Sequence, residues 1–344
     1  MNDKIIALIL FVRLSALGGT IVMVILGAGT VTPHPGIIKI LGLIGSGIAF
    51  HIYSYLLNDV IDLPIDRNEP RRVNFPLVRG TISTVATLVM ALIQIPVAIF
   101  LTYLNQGGIP AYVTLMISFV CLGIYNIWGK KAIFPPLTDF VQGLGWGGLG
   151  LYGAYLTAGH ISTATMVLFA YIVIMILMSN GVHGSVRDLK NDFQCGVRST
   201  AIMFGTRSEL DERVQITASL RRYAQLLNLL LVSIALCTLG INWFGYNRMA
   251  LLWTIGVEII LSMLSLWALH LIARPVQNQG ELNSGGMLHL LVVFLMMIVL
   301  FIPGMDIALS SLVLLLFLAP LLSHSWFYAG ILWGLRKSKL INNE

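Results

Sequence analysis

The run Asn58-Asp59-Val60-Ile61-Asp62-Leu63-Pro64-Ile65-Asp66 sets three aspartates within eight positions, in a chain whose charged residues make up only 10% of the total. Each carboxylate beside an apolar segment costs free energy unless something cationic compensates it, and the natural compensator is a metal ion. If the preceding helix continues through this run, Asn58, Asp62 and Asp66 fall at i, i+4 and i+8 on one face, with Asp59 one step round. Such a surface of oxygen donors suits Mg²⁺, which prefers carboxylates and shares its remaining positions with phosphate oxygens. A second set stands far along the chain in Arg187-Asp188-Leu189-Lys190-Asn191-Asp192, where Asp188 and Asp192 are again i, i+4.

Two acidic faces opposed across a polar cavity repel each other unless divalent cations stand between them, and those cations then attract a polyanion. A diphosphate fits that description. Arg67, Arg71, Arg72, Arg79, Lys130, Lys131, Arg187 and Arg198 are interleaved with the clusters and supply direct donors to the same oxygens, Arg bidentately and Lys as a point charge. Apolar helices around the pocket suit a substrate with a phosphate head and a hydrocarbon tail, which is a prenyl diphosphate. Mg²⁺ and the basic residues would stabilise charge on the leaving diphosphate, an allylic cation would form, and a nucleophile in the dry cavity would capture it.

The elements that must hold these residues are membrane helices. The chain has 344 residues, 57% of them hydrophobic, well above a soluble domain. Its apolar runs are about twenty residues long, the length that crosses the hydrocarbon core as a helix. The runs predict spans over 5–27, 37–57, 82–104, 110–128, 135–158, 162–184, 223–243, 249–272, 287–304 and 307–333. The start of the chain reads as the first of them, not as a removed signal.

The expected fold is all-α, a polytopic transmembrane bundle of nine or ten helices around a central cavity, forming one domain over residues 1–344. The count turns on Pro303-Gly304-Met305-Asp306, read either as a hairpin before an extra helix at 307–333 or as a kink. Lys and Arg crowd the connections at 58–81, 128–134 and 185–222 and are missing from those at 28–36, 105–109 and 159–161. Both acidic motifs therefore face the cytoplasm, of a bacterial cytoplasmic membrane by expectation, and the basic tail from Arg336 joins them there if the count is even, which favours ten. Each motif follows the second helix of a four-helix half, a hint of an internal repeat. Cys121, Cys195 and Cys237 suggest neither a disulfide framework nor a zinc site.

These residues carry a resemblance. Asn58-Asp59-x-x-Asp62-x-x-x-Asp66, followed by Arg67-Asn68-Glu69-Pro70-Arg71-Arg72, Pro76 and Gly80-Thr81-Ile82-Ser83, resembles the first signature of the UbiA superfamily of intramembrane prenyltransferases, the group that includes 4-hydroxybenzoate polyprenyltransferases. Asp188-x-x-x-Asp192-x-x-x-Gly196-Val197-Arg198-Ser199-Thr200 is similar to the second. The resemblance runs over roughly residues 5 to 304 and implies a helical bundle whose central cavity opens sideways to lipid. It implies Asn58, Asp62, Asp66, Asp188 and Asp192 as metal and diphosphate residues, with Asp59 beside them. It implies Arg72, Lys130 and Arg198 as diphosphate contacts and Tyr125 as the family's tyrosine before its lysine.

The sequence departs from the pattern in three places. Asn74-Phe75-Pro76-Leu77-Val78-Arg79-Gly80 stands where the family commonly has Arg-Pro-x-x-Ser-Gly, which leaves Arg72 and Arg79 both open. Tyr125 is five residues before Lys130 where four is usual, so Lys130 and Lys131 both stay open. His183 and Arg187 stand in for the usual tyrosine and lysine before the second motif, and His183 is taken as lining the substrate cavity.

The resemblance implies Mg²⁺-dependent transfer of a prenyl group from its diphosphate to an acceptor, read as aromatic, inside the bilayer; no nucleic-acid partner is expected. Two alternatives stay open: a terpene cyclase of the same superfamily, which needs no acceptor, and a transporter of an anionic lipid or metal. Among the remaining polar residues, Asp139 and Gln142 either line the cavity or pair with Lys130 or Lys131. Asn228, Glu258 and His51 read as internally hydrogen-bonded, and the glycines from Gly143 to Gly153 as helix-packing positions. Arg207, Arg213, Arg221 and Arg222 read as anchors near lipid headgroups.

Overall fold

The computed structural model describes residues 11–69, 72–73, 75–208 and 213–319. Its helices are Leu14–Gly29 (α1), Ile37–Asp66 (α2), Thr84–Leu104 (α3), Ile109–Trp128 (α4), Pro135–Ala158 (α5), Thr163–Arg187 (α6), Ala218–Gly240 (α7), Arg248–Ile272 (α8), Gln279–Phe301 (α9) and Ile307–Ala319 (α10). Several helix starts coincide with small polar residues that satisfy the first free N–H groups. Ser83, Thr217, Asn247 and Asn278 each accept from the first turn, and Ser162 and Thr165 form a reciprocal capping box.

Among the described residues, α2, α3, α4, α6, α7, α8 and α9 are long and apolar enough to cross a bilayer, seven in all. The expected nine or ten is not reached on those two criteria. Helix α5 has 24 residues, but its glycines together with Asp139 and Gln142 dilute its hydropathy. Helices α1 and α10 are shorter than a full crossing over the described residues, and residues 5–10 and 320–333 of the two outermost predicted spans lie outside them. Pro303 does not merely kink a helix: Ile302–Gly304 is a 3₁₀ turn, Met305 is extended, and α10 begins after Asp306, whose Oδ1 accepts from the Leu309 N–H at 2.6 Å.

Helix α5 lies at the centre, against α1, α4 and α6. Its glycines make this possible, as their spacing predicts. A methyl group added at Gly27 would stand 2.1 Å from the Gly150 carbonyl oxygen, and one at Gly153 would stand 2.1 Å from that of Val24. Helices α1 and α5 thus meet backbone to backbone, the close approach that small residues permit where no hydrophobic drive separates helix from lipid. On the outside, α3 exposes Val85, Val89, Ile93, Phe100 and Tyr103, and α8 exposes Trp253, Ile260, Met263 and Trp267, apolar surfaces suited to acyl chains.

A three-stranded antiparallel sheet, Arg207–Ser208 (β1), Arg213–Gln215 (β2) and Val276–Asn278 (β3), joins the connection after α6 to the α8–α9 connection. It lies at the end of the bundle that carries both acidic motifs.

Candidate active site where two acidic motifs meet

Helix α2 does not stop at residue 57 but runs through Asp66, with Pro64 inside its last turn. The continuation holds Asp59, Asp62 and Asp66, each 5% exposed, at the end of the bundle. They do not act as one row. Arg72, on the turn beyond the helix, places Nη1 3.1 Å from both Asp59 Oδ1 and Asp66 Oδ2. Asp62 turns the other way, where Asn58 Nδ2 donates to its Oδ2 at 2.9 Å and Lys130 Nζ stands 3.0 Å from the same oxygen.

The second motif arrives by a break in α6. Residues Leu177–Gly184 form a π-helix and Ser185–Arg187 a last α-turn. Asp188 (φ −96°, ψ 4°) then hinges the chain into the short helix Leu189–Gln194. The i, i+4 relation survives the hinge, since the Asp192 N–H donates to the Asp188 carbonyl at 2.9 Å. Asp192, 3% exposed, faces Lys130 Nζ at 3.9 Å, whereas Asp188 is half-buried and takes a bidentate contact from Arg187 at 3.0 and 2.8 Å. One ammonium therefore reaches both motifs. Backbone contacts hold them together: Arg198 N–H donates to the Lys130 carbonyl at 3.2 Å, and Asn191 Nδ2 to the Ile65 carbonyl at 3.4 Å.

Burial raises the Asp192 carboxyl from the ordinary carboxylate value to about 7; Lys130 pulls it back, while Asp188 and Asp62 push it further up. A third carboxylate, Asp139 on α5, stands close behind. It does not pair with Lys130 or Lys131. Asn180 Nδ2 donates to its Oδ1 at 2.8 Å and the Thr200 hydroxyl to its Oδ2 at 2.5 Å, and the same Asn180 amide donates to Tyr125 Oη at 2.5 Å.

The geometry separates residues that the spacing left equivalent. Lys130 is in the cluster and Lys131 is exposed; Arg72 is in it and Arg79 is exposed. Arg198 contributes its backbone, with an exposed side chain. His183 turns from the carboxylates to α9, its Nε2 2.9 Å from His289 Nδ1. One participant escaped the sequence reading. Arg13, just before α1, donates to Asp59 and stacks on the Tyr55 ring at 4.6 Å. A lone arginine within the first apolar run was signal enough, since an ionisable group there is a functional candidate by default.

Among the described residues, no three His, Cys, Asp or Glu side chains are gathered so as to hold an ion. Arg13, Arg72 and Lys130 stand among the carboxylates instead. The donor set still fits a hard divalent cation in its chemistry. It is all oxygen, and Asp192 Oδ1 is buried with no hydrogen-bond partner, an acceptor that calls for one. A small pocket beside Asp59 and Asp66, roofed by Phe75, Pro76, Leu77 and Val78, leaves room next to the first motif.

Comparison with known proteins gives a consistent picture. The model of the UbiA prenyltransferase family matches residues 16–282. A 4-hydroxybenzoate octaprenyltransferase of Tolumonas auensis is 26% identical over 156 residues, 45% of this chain and 52% of that protein, so the chain spans about half the length of that relative. Among solved structures, a digeranylgeranylglyceryl phosphate synthase superposes with a TM-score of 0.64 at 18% identity, over 88% of this chain and 99% of that one. A UbiA homologue from Archaeoglobus fulgidus bound to GPP and Mg²⁺ gives 0.62 at 14% identity, over 89% and 99%. At those identities the likeness is one of fold.

Proposed function

The chain belongs to the UbiA prenyltransferase family, and on that premise we propose that it transfers a prenyl group from a prenyl diphosphate to an aromatic acceptor within the membrane, with Mg²⁺ as cofactor. The observation that carries the reading is Lys130 Nζ set between Asp62 and Asp192, which makes one polyanion-binding centre of two distant motifs. The Archaeoglobus fulgidus homologue, bound to GPP and Mg²⁺, supports the donor and the cofactor. The Tolumonas auensis relative supports an aromatic acceptor.

In this reading Asn58, Asp62, Asp66, Asp188 and Asp192 would hold the cation, with Asp59 bound by Arg13 and Arg72 beside them. Bound Mg²⁺ supplies positive charge to the diphosphate as it leaves. The chain's own cations do the rest. Arg72 and Lys130 neutralise carboxylates of the site, and both side chains would donate to diphosphate oxygens, Arg72 with a planar fork and Lys130 with a point charge. Apolar helix walls keep water from the allylic carbon after its bond to oxygen breaks, so that a ring carbon of the acceptor forms the new bond and then loses its proton. The site then faces the cytoplasm, because the connections around it hold the Lys and Arg excess.

Purified protein incubated with a prenyl diphosphate, Mg²⁺ and 4-hydroxybenzoate tests the proposal. It should yield the prenylated acid together with inorganic diphosphate. Diphosphate and a hydrocarbon or terpene alcohol with no acceptor present would make the protein a cyclase, and an uncleaved donor would overturn the transfer reading.

A further inference from the structure

Away from the two acidic motifs, three helices share a buried polar level. Asn228 on α7, Ser265 on α8 and His289 on α9 meet there, each 0% exposed. Ser265 Oγ donates to Asn228 Oδ1 at 2.6 Å, and His289 Nε2 stands 3.1 Å from the same oxygen and 3.2 Å from Ser265 Oγ. His289 Nδ1 lies 2.9 Å from His183 Nε2 on α6. An amide oxygen only accepts, so His289 carries its proton on Nε2 and receives at Nδ1 from His183. The donors thus point inward in series from His183. That histidine lines a shallow recess with Arg187, Arg221 and Asn283, at the end of the bundle that carries the acidic motifs, with room for about one water.

Helix α8 extends the polar line deeper. Ser262 and Glu258 precede Ser265 by three and seven residues on one helical face, which sets Glu258 about 10 Å further into the bundle. The internal hydrogen bond expected of Glu258 is not formed. Its side chain is 0% exposed, and neither carboxyl oxygen has a partner among the described residues; the Ser262 hydroxyl and the Asn228 amide nitrogen are likewise buried and unpartnered. Seven residues on from the shared level, the neighbouring helices bring Ala235 on α7 and Met296 on α9, both buried and apolar. Tyr171 on α6 also comes near Glu258, but its hydroxyl donates to the Val293 carbonyl at 2.8 Å. A charged carboxylate without a partner is costly at such a depth, so the group holds a proton, and the unpartnered atoms around it are a place for ordered water.

We propose that Glu258 is an intramembrane proton-binding site, served from the end that carries the acidic motifs by a relay through His183, His289, Ser265 and Ser262, with bound water bridging the last two steps. A proton taken from the recess at His183 Nδ1 sends the Nε2 proton of that ring to His289 Nδ1. His289 passes its own Nε2 proton to Ser265 Oγ, and water with Ser262 carries it to the Glu258 carboxylate. Each relay group ends neutral, with its proton moved to the opposite atom, and release runs the same steps in reverse. Arg187 and Arg221 beside the recess stay charged and pass no proton. His183 turns from the carboxylates of the two motifs, so the relay stands apart from prenyl transfer.

Infrared spectroscopy of the full chain in detergent tests this through the carbonyl stretch of a protonated carboxyl. At roughly pH 8.5, above the value of about 7 for Asp192, such a band should persist, and Glu258→Gln should remove it. On transfer to heavy water the parent band should shift as deuterium replaces the carboxyl proton. Ser262→Val, which sets methyl groups where water would stand, and His289→Met, which removes both ring nitrogens, should each keep the band and slow its shift by about tenfold or more, as a broken step raises the barrier to transfer. They lie on different helices, so a folding defect in one does not decide the result. Thr254→Val is the control, since Thr254 lies on the far side of Glu258 and its hydroxyl donates to the Ala250 carbonyl at 2.8 Å; it should leave the rate unchanged. Lack of the band in the parent, its survival in Glu258→Gln, a parent band that never shifts, an unchanged rate in either relay variant, or equal slowing in Thr254→Val would each overturn the proposal.

Discussion

Lys130 Nζ stands 3.0 Å from Asp62 and 3.9 Å from Asp192, although 130 and 192 lie on opposite sides of two membrane helices in sequence. Asp62→Ala should lower turnover by a factor of about 10² or more, since it removes a carboxylate that would hold the cation opposite the diphosphate, while expression and insertion stay normal. Lys130→Met should fall by a similar factor, and Lys131→Met should stay near the parent. Equal losses at the two lysines, measured as kcat/KM for the prenyl diphosphate, would dissolve the distinction the geometry makes.

The same contrast applies to the arginines. Arg72 bridges Asp59 and Asp66, whereas Arg79 is exposed. Arg72→Gln should lower kcat/KM by about 1.5–3 kcal/mol of transition-state stabilisation, the range for hydrogen bonds to charged groups. Arg79→Gln should cost under about 0.5 kcal/mol, as exposed substitutions do. Steady-state kinetics of the two variants decides it.

Metal dependence carries its own signature. EDTA should stop the proposed prenyl transfer and Mg²⁺ restore it. Asp192 is held at about 7 by burial, and a cation binds only its ionised form, so protons compete with Mg²⁺ below neutrality. Affinity should therefore rise with pH up to about 7 and level off above it, with uptake of Mg²⁺ near pH 6.5 releasing protons into weakly buffered detergent solution. Isothermal titration in buffers of different ionisation enthalpy checks this, and Asp192→Asn should lessen the proton release.

Asp139 tests the support behind the site. Asn180 and Thr200 satisfy its two oxygens, and removing either leaves a buried carboxyl short of a partner. Asn180→Leu should destabilise the protein by about 1–3 kcal/mol, read as a lower melting temperature in detergent. Tyr125→Phe should cost less, because the tyrosine hydroxyl only accepts from Asn180.

Close helix approach gives a last prediction. Gly153→Ala would drive a methyl group to 2.1 Å from the Val24 carbonyl oxygen, and neither backbone can yield without parting α1 from α5. A loss of about 1–3 kcal/mol is expected from such overpacking, again as a lowered melting temperature. Gly256→Ala, on α8 with open space around it, should be neutral.

Much of this arrangement was legible in the sequence. Acidic residues are expensive near lipid, so Asp62, Asp66, Asp188 and Asp192 announced themselves by position alone, and the glycines of α5 announced a close crossing. What stayed hidden depends on direction. Spacing puts Asp59 one step from Asp62 but cannot say that Arg72 draws Asp59 and Asp66 together while Lys130 holds Asp62. Lys130 and Lys131 are neighbours in sequence, and only the 3₁₀ turn Gly129–Lys131 aims one inward. His183 precedes Asp188 by five, and spacing alone does not show that the π-helix sets its Nε2 against His289. Helix count was the weakest part, since α5 trades hydropathy for glycine.

The π-helix at Leu177–Gly184 sets the phase of everything after it. Each residue of an ordinary helix advances the chain about 100°, and a wider turn absorbs part of that rotation in one place. Were the same residues to tighten into an ordinary α-helix, the extra rotation they accumulate would turn Asp188 off its bearing while the span still threaded the bilayer. The direction in which the second pair of carboxylates points is thus written in one locally overwide turn.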